Sequence, residues 1–454
     1  MLNKFYGWNV LTALWFVVFV NQAFTTFGAS VISGPMARAL GVDRSTLGLA
    51  LTVFTLANGL SAPIVAWTVN KFGTRLTITY ASIYLAAACV FVGRYTTVGW
   101  EYAIEYGLGV GVGVAFATYV PCQNCVTQWF LKRRGLAMSL VLTATGVGGV
   151  VAAPSLANII LAAGGNWRVG WYSIAAAVCI AGLIAFLFVK NRPGDYGQVQ
   201  DGVRADEKSQ SGEIKKGALV AGIYHSMTNW RIADALKTRS LWIILGGSVG
   251  FYMAITVFLA HSVRHLTDMG HTPAEAGLAT GTVALFSIVG KLFAGFLCDR
   301  FEPRYVWAFF MVLTAAGMGL MISPTSPADI YLFAIPFGGG FGGCLVCWPT
   351  IVANYFGAGS FASLMGINLP IQTIFTSAAP LVVGVVADSR HSYTLPFIGV
   401  AAITFSMGIL LLFATPPRSD TDRKAVTIRG GLSAAATATP GMSSKFTLIS
   451  RRIR

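Results

Sequence analysis

The sequence predicts an all-α membrane protein with twelve transmembrane helices in two six-helix pseudo-symmetric halves. Apolar stretches of about 20 residues recur along the chain, each long enough to cross roughly 30 Å of hydrocarbon. Only 11% of the 454 residues are charged while 55% are hydrophobic, too little charge to cover a water-soluble chain of this length. Landmarks in the first half also return in the second at a near-constant spacing.

The spans read as helices because a helix satisfies its own backbone polar groups in hydrocarbon. The short alternating segments of an outer-membrane barrel are absent. The spans fall at roughly 6–32, 47–70, 76–95, 100–128, 136–162, 168–189, 241–261, 275–298, 305–323, 330–355, 363–387 and 395–414. The first run is too long for the apolar part of a cleavable signal and has no small-residue cleavage site, so it reads as the first span.

The formal charge of +15 raises the question of a nucleic-acid partner. With the N-terminus inside, 25 of the 32 lysines and arginines fall on cytoplasmic stretches. Arg38, Arg44, Arg94, Arg168, Arg264 and Arg390 fall outside, and Lys291 alone stays within a span. That bias is the positive-inside signal, so both termini are expected in the cytoplasm of a bacterial cell, the protein lying in the inner (plasma) membrane. The excess charge reports topology, and no nucleic acid is expected as a partner. The seven cysteines lie in or at the ends of spans, which argues against a disulfide framework.

A polar stretch interrupts the chain once. The expected organisation is a first half over 1–189, a cytoplasmic central loop over 190–239, a second half over 240–417 and a disordered cytoplasmic tail over 418–454. Within the loop, Thr228 to Leu241 reads as an interfacial helix. The loop Asn70-Lys71-Phe72-Gly73-Thr74-Arg75 matches Asp299-Arg300-Phe301-Glu302-Pro303-Arg304, 229 positions on (70 to 299). A glycine run leading to Pro121 matches one leading to Pro349, 228 positions on (121 to 349). Two unrelated landmarks at one offset indicate duplication, and parallel repeats with a midplane site between them belong to alternating-access transporters.

On these landmarks the chain resembles the major facilitator superfamily, over nearly its whole length to about Arg418. The resemblance implies two gating loops, built on a glycine and then Asp-Arg/Lys-x-Gly-x-Arg. The second copy keeps Gly295, Asp299, Arg300 and Arg304 but has Glu302 for glycine. The first keeps Lys71, Gly73 and Arg75, with Ala66 for the glycine and Asn70 for the aspartate, and Asn70 is expected to weaken the charge lock there. Trp129-Phe-Leu-Lys-Arg-Arg-Gly-Leu-Ala137, Asn191-Arg-Pro-Gly-Asp-Tyr-Gly197 and Tyr355-Phe356-Gly357 resemble the bacterial branch containing oxalate/formate antiporters and monocarboxylate transporters.

Lys291 is the strongest chemical signal. It lies eight residues before Asp299, about 12 Å into span eight, where an unpaired ammonium is costly. A snorkelling lysine is the competing reading, but its stem covers only about half that distance. The resemblance implies that this position usually holds an arginine that binds carboxylate. It also implies an acid one turn earlier, where this chain has Ser287, a lysine in span one, where it has Ala29, and a second lysine in span eleven, where it has Gln372. One cation suits a singly charged anion better than a dicarboxylate.

Glu105 is the acid set within a span and is a candidate for proton coupling, with an interfacial role as the alternative. Gln123, Asn124, Asn21, Gln22, Asn368 and Gln372 offer neutral hydrogen bonds to a solute, and Tyr119, Tyr252 and Trp348 offer aromatic walls. Interhelical bonding and packing are the alternative for each. The Gly107–Gly113 and Gly338–Gly343 runs lack the strand-turn-helix setting of phosphate loops and read as close helix contacts. The Cys122/Cys125 and Cys344/Cys347 pairs read as packing residues and not a metal site. His261 and His265, at the outer end of span seven, are candidates for pH sensing, with interfacial loop residues as the alternative.

The function expected is secondary transport of a small organic anion, a monocarboxylate, coupled to protons or exchanged for a counter-anion, by a monomer without a cofactor. Drug efflux is disfavoured by the midplane cation, and a sensor or scaffold by the lack of an output domain. No nucleophile–base or metal constellation points to an enzyme.

Overall fold

Gly73 decides the number of spans. Ten helices are long and apolar enough to cross a membrane among the described residues, one of them Ala62–Tyr95. Within it Gly73 stands at φ 81°, ψ 165°, outside helical space and in a region that glycine alone enters freely. The chain turns there, ending α2 (44–72), which begins as Arg44–Leu60, and starting α3 (74–95). The others are α1 (Gly7–Leu40), α4 (Gly99–Trp129), α5 (Arg134–Ala162), α6 (Trp167–Phe188), α7 (Arg239–Asp268), α8 (Pro273–Cys298), α9 (Pro303–Leu320), α10 (Pro327–Phe356), α11 (Phe361–Arg390) and α12 (Thr394–Leu411). That makes twelve spans, six on each side of the central segment, in a computed structural model that describes residues 5–202, 218–220, 223–226, 228–324 and 326–417. Residues 203–217 of the central loop and the tail over 418–454 lie outside the described residues.

Local chemistry fixes many helix starts. Asp43 accepts from the Thr46 backbone N–H at 3.2 Å, and Thr272 and Glu275 close a reciprocal capping box ahead of Pro273. Several boundaries differ from the sequence reading, and α7 runs past residue 261 to Asp268, so Arg264 sits on a helix and not in a loop. α1 continues past residue 32 to Leu40, accepting Pro35, and stops at Gly41 in the left-handed region (φ 66°), so Arg38 sits on the helix. The interfacial helix shrinks to Ile232–Leu236, because the Thr238 side chain accepts from the Leu241 N–H and caps α7 at Arg239. The central segment also contains a small antiparallel hairpin, β1 (Ala218–Val220) with β2 (Ile223–His225).

Glycines set the tightest helix contacts. A Cβ on Gly342 would stand 2.1 Å from the Ser287 carbonyl oxygen, and one on Gly290 2.1 Å from that of Gly339, so the backbones of α8 and α10 touch. In the first half Gly111 meets the Phe54 backbone and Gly113 meets Leu85, joining α4 to α2 and α3. Close approach of this kind is what small residues provide where hydrocarbon gives helices little hydrophobic reason to associate.

Candidate functional site

Lys291 lies in mid-span on α8 with 3% of its surface exposed. Its Nζ donates to Thr145 Oγ1 on α5 at 3.3 Å, across the boundary between the halves. No carboxylate pairs with it among the described residues. The Thr145 hydroxyl also contacts the Tyr119 hydroxyl on α4, which lies near Tyr252 on α7. The Tyr252 hydroxyl in turn contacts Gln372 on α11, and its ring stands 5.8 Å from Trp348 on α10 at 82°. Lys291, Tyr119, Tyr252, Trp348 and Gln372 are thus linked through Thr145 into one cluster drawn from both halves. Thr145 was not singled out from the sequence. Nothing local distinguishes its hydroxyl from those of Ser139, Thr143 and Ser155 in the same span.

α4 is interrupted beside this cluster. Thr118 leaves helical space (φ −127°, ψ −106°), and a new helix starts at Tyr119, placing a helix N-terminus within the span. Gln22, in a π-helical stretch of α1 (Phe19–Phe24), accepts from the Thr118 hydroxyl at 3.3 Å. Such bulges recur at functional sites. On the other side α7 and α11 are joined by three rungs at matched four-residue steps. Ser248 donates to Asn368 Oδ1 at 2.9 Å, Tyr252 meets Gln372, and Thr256 donates to the Thr376 carbonyl at 3.2 Å.

Other sequence candidates point elsewhere. Asn21 donates to Ser82 at 3.0 Å and Asn124 to Thr74 at 3.3 Å, so both face α3 within the first half. Gln123, four residues beyond Tyr119, is buried with its Oε1 unpartnered among the described residues. The Ser287 hydroxyl is turned onto its own helix at the Ala284 carbonyl. Glu105 accepts from Thr96 Oγ1 at 2.5 Å, and the 14 residues to Tyr119 put it about 20 Å along α4 from the cluster. Cys298 and Cys347 are neighbours at 3.5 Å, so Cys347 packs against α8.

The two signature loops join the halves at one end of the bundle. Asp299 accepts from the backbone N–H groups of Gly135 (2.7 Å) and Leu136 (3.0 Å), holding the N-terminus of α5, where a carboxylate is favoured. Burial pushes the Asp299 carboxyl up to about 6 against those two bonds. Asn70 makes the symmetric contact, donating to Ser363 Oγ at 2.8 Å near the start of α11. Ser363 is the repeat mate of Gly135, 228 positions on (135 to 363). Asn70 therefore bridges the halves through its side-chain amide, where Asp299 uses its carboxylate. Arg134 adds a third link, donating to Asn354 Oδ1 at 2.7 Å, and Gly295 gives α5 room to cross. Lys71 lies over the rings of Trp67 and Phe72, and Arg300 over Phe296. Gly73 and Arg75 meet Asn191 of their own half, and Arg304 donates to Tyr305.

The central segment is anchored at this end. Asp201 accepts from the N–H groups of Leu131, Lys132 and Arg133, while the Tyr224 N–H donates to Glu302 at 3.3 Å. Glu302, the departure from the loop signature, thus holds the hairpin. His225 is buried beside Arg134, and burial first, then that guanidinium, pushes its imidazole down to about 3. A docked value below the free one of about 6.5 means docking is favoured at neutral pH and weakens as pH falls from about 6.5 toward 3. Hydrogen exchange over residues 223–226, corrected for intrinsic rate, should therefore rise between about pH 7.5 and 5.5. His225→Gln should abolish that rise. An unchanged pH response in the variant would dismiss His225 as its source.

The chain belongs to the major facilitator superfamily, whose profile matches residues 14–272 and 262–451. Similar proteins include the probable sulfoacetate transporter SauU of Cupriavidus necator, 23% identical over 90% of this chain and 93% of that one. The oxalate:formate antiporter of Oxalobacter formigenes is 22% identical over 72% of each chain. Monocarboxylate transporter 13 of Rattus norvegicus is 21% identical over 89% of this chain and 88% of its own. Among solved structures the proton:xylose symporter XylE superposes with a TM-score of 0.70 at 13% identity, over 90% of this chain and 96% of that one. The protein is a multi-pass membrane transporter of this superfamily.

Proposed function

We propose that the protein is a secondary active transporter of a small, singly charged organic anion, a monocarboxylate, working by alternating access with proton coupling or anion exchange. The observation that carries this reading is Lys291, a buried cation with no carboxylate partner among the described residues, joined across the halves to Thr145. An isolated charge at that depth is costly unless an anion offsets it during the cycle. Tyr119, Tyr252, Trp348 and Gln372 form the rest of the site, Gln123 and Asn368 border it, and Glu105 carries the proton nearer the surface. Similarity to transporters named for sulfoacetate, oxalate and formate, and monocarboxylates supports an organic acid.

The test is uptake of radiolabelled carboxylates into proteoliposomes, with and without a pH gradient or an internal counter-anion. Saturable uptake of a monocarboxylate driven by either gradient is the expected result. Failure of every acid to enter or exchange would refute the reading.

In this reading the loop end faces the cytoplasm of a bacterial inner membrane, the positive-inside bias being the support. Single-cysteine tags at Gly202 and at the C-terminus should resist an impermeant thiol reagent in intact cells, while a tag at Asp268 should react. Labelling of Gly202 from outside would reverse the orientation.

A further inference from the structure

We infer that the anion taken by this site carries a hydroxyl group in addition to its carboxylate, making hydroxylated monocarboxylates its class of ligand. The inference rests on the reading of Lys291 as the carboxylate's partner. Two polar atoms in the same cluster are buried without a hydrogen-bond partner among the described residues, the indole Nε1 of Trp348 and the amide Oε1 of Gln372. Their residues are 2% and 4% exposed. Buried polar atoms are nearly always paired, and an orphan in a low-dielectric interior is costly. Both residues adjoin Tyr252, Trp348 through its ring and Gln372 through the phenol hydroxyl. Tyr252 connects through Tyr119 and Thr145 to Lys291.

The two orphans are complementary in sign. Indole N–H only donates and an amide oxygen only accepts, whereas a hydroxyl does both. A second carboxylate could accept from Trp348, but it would face the Gln372 oxygen with no further cation in the cluster. An ammonium group could donate to Gln372, but no acid in the cluster offsets its charge, and Lys291 repels it. An unsubstituted alkyl tail leaves both atoms unpaired. A neutral hydroxyl serves both without adding a charge, and a polyhydroxylated acid also reaches the orphaned Nδ2 of Asn368, one turn from Gln372.

The experiment is equilibrium competition against a bound radiolabelled acid on purified full-length protein. Propionate is compared with its 2-hydroxy, 3-hydroxy and 2,3-dihydroxy derivatives, and hexanoate with a six-carbon aldonate. At least one hydroxylated acid should bind about tenfold or more tightly than its parent, as expected when buried polar groups would otherwise stay unpaired. Trp348→Phe keeps the ring against Tyr252 and removes only the N–H, and Gln372→Leu removes the amide by an independent route. Each should bring the hydroxy-to-parent affinity ratio toward one. Parents and hydroxy acids binding equally to the unmodified protein would overturn the hydroxyl inference and leave the Lys291 reading standing. A preference that survives both substitutions would also overturn it. Failure of all acids to bind would overturn both readings.

Discussion

Lys291→Ala is expected to lower carboxylate binding and uptake by a factor of roughly 10–100 or more, the scale of losing a charge-assisted hydrogen bond in a water-poor site. Lys291→Arg should keep partial activity, because charge survives while the single ammonium becomes a planar fork. Lys291→Gln should fall below arginine, since a neutral amide cannot offset the anion's buried charge. Stability should move the other way. The lysine is 3% exposed, and among the described residues its one side-chain bond is to Thr145. Lys291→Met should therefore raise the melting temperature of the anion-free protein while removing transport, the signature of a residue kept for function at the expense of stability. Binding, uptake and thermal unfolding at matched expression check the series. Full anion transport by Lys291→Ala would sink the organic-anion mechanism and move drug efflux or an uncharged solute to first place.

What the sequence revealed and what it concealed divide along a physical line. A charge within an apolar span is visible without any neighbour, so Lys291 could be read directly. The repeat was equally open, since matched loops and prolines need only counting. Rotational position was harder. At 100° per residue, Gln123 lies about 40° around α4 from Tyr119 while Asn124 lies about 140° away, so only one can share its face. Composition gave Asn124 and Asn21 the same rank as Gln372, yet both turn to α3. The α7–α11 ladder depends on two helices distant in sequence lying side by side, which no local pattern encodes. Glu302 looked like a flaw in a signature. Its purpose becomes visible only with the hairpin that it holds.

Substituting alanine at Gly342 should disrupt the fold near the site far more than the same change at Gly339, three residues earlier on α10. At Gly342 the new methyl would stand 2.1 Å from the Ser287 carbonyl oxygen, and further Ser287 backbone atoms lie within 2.7 Å. A backbone carbonyl within a helix cannot rotate aside, so α8 and α10 must separate. Overpacking of this kind costs about 1–3 kcal/mol and here is expected at the upper end. Ser287 is one turn from Lys291 on α8, so separation also displaces the ammonium from Thr145 and should weaken anion binding. At Gly339 the nearest atom is a Leu313 methyl carbon at 3.9 Å, ordinary van der Waals contact. Alanine there is accommodated and gains helix propensity of up to about 1 kcal/mol, so stability should hold or rise. The two variants share helix, chemistry and membrane depth, which leaves backbone proximity as the difference between them. Thermal unfolding of both, with carboxylate binding at matched folded fraction, reads the contrast. Equal melting temperatures would show that α8 and α10 are not packed backbone to backbone at Gly342 and Ser287.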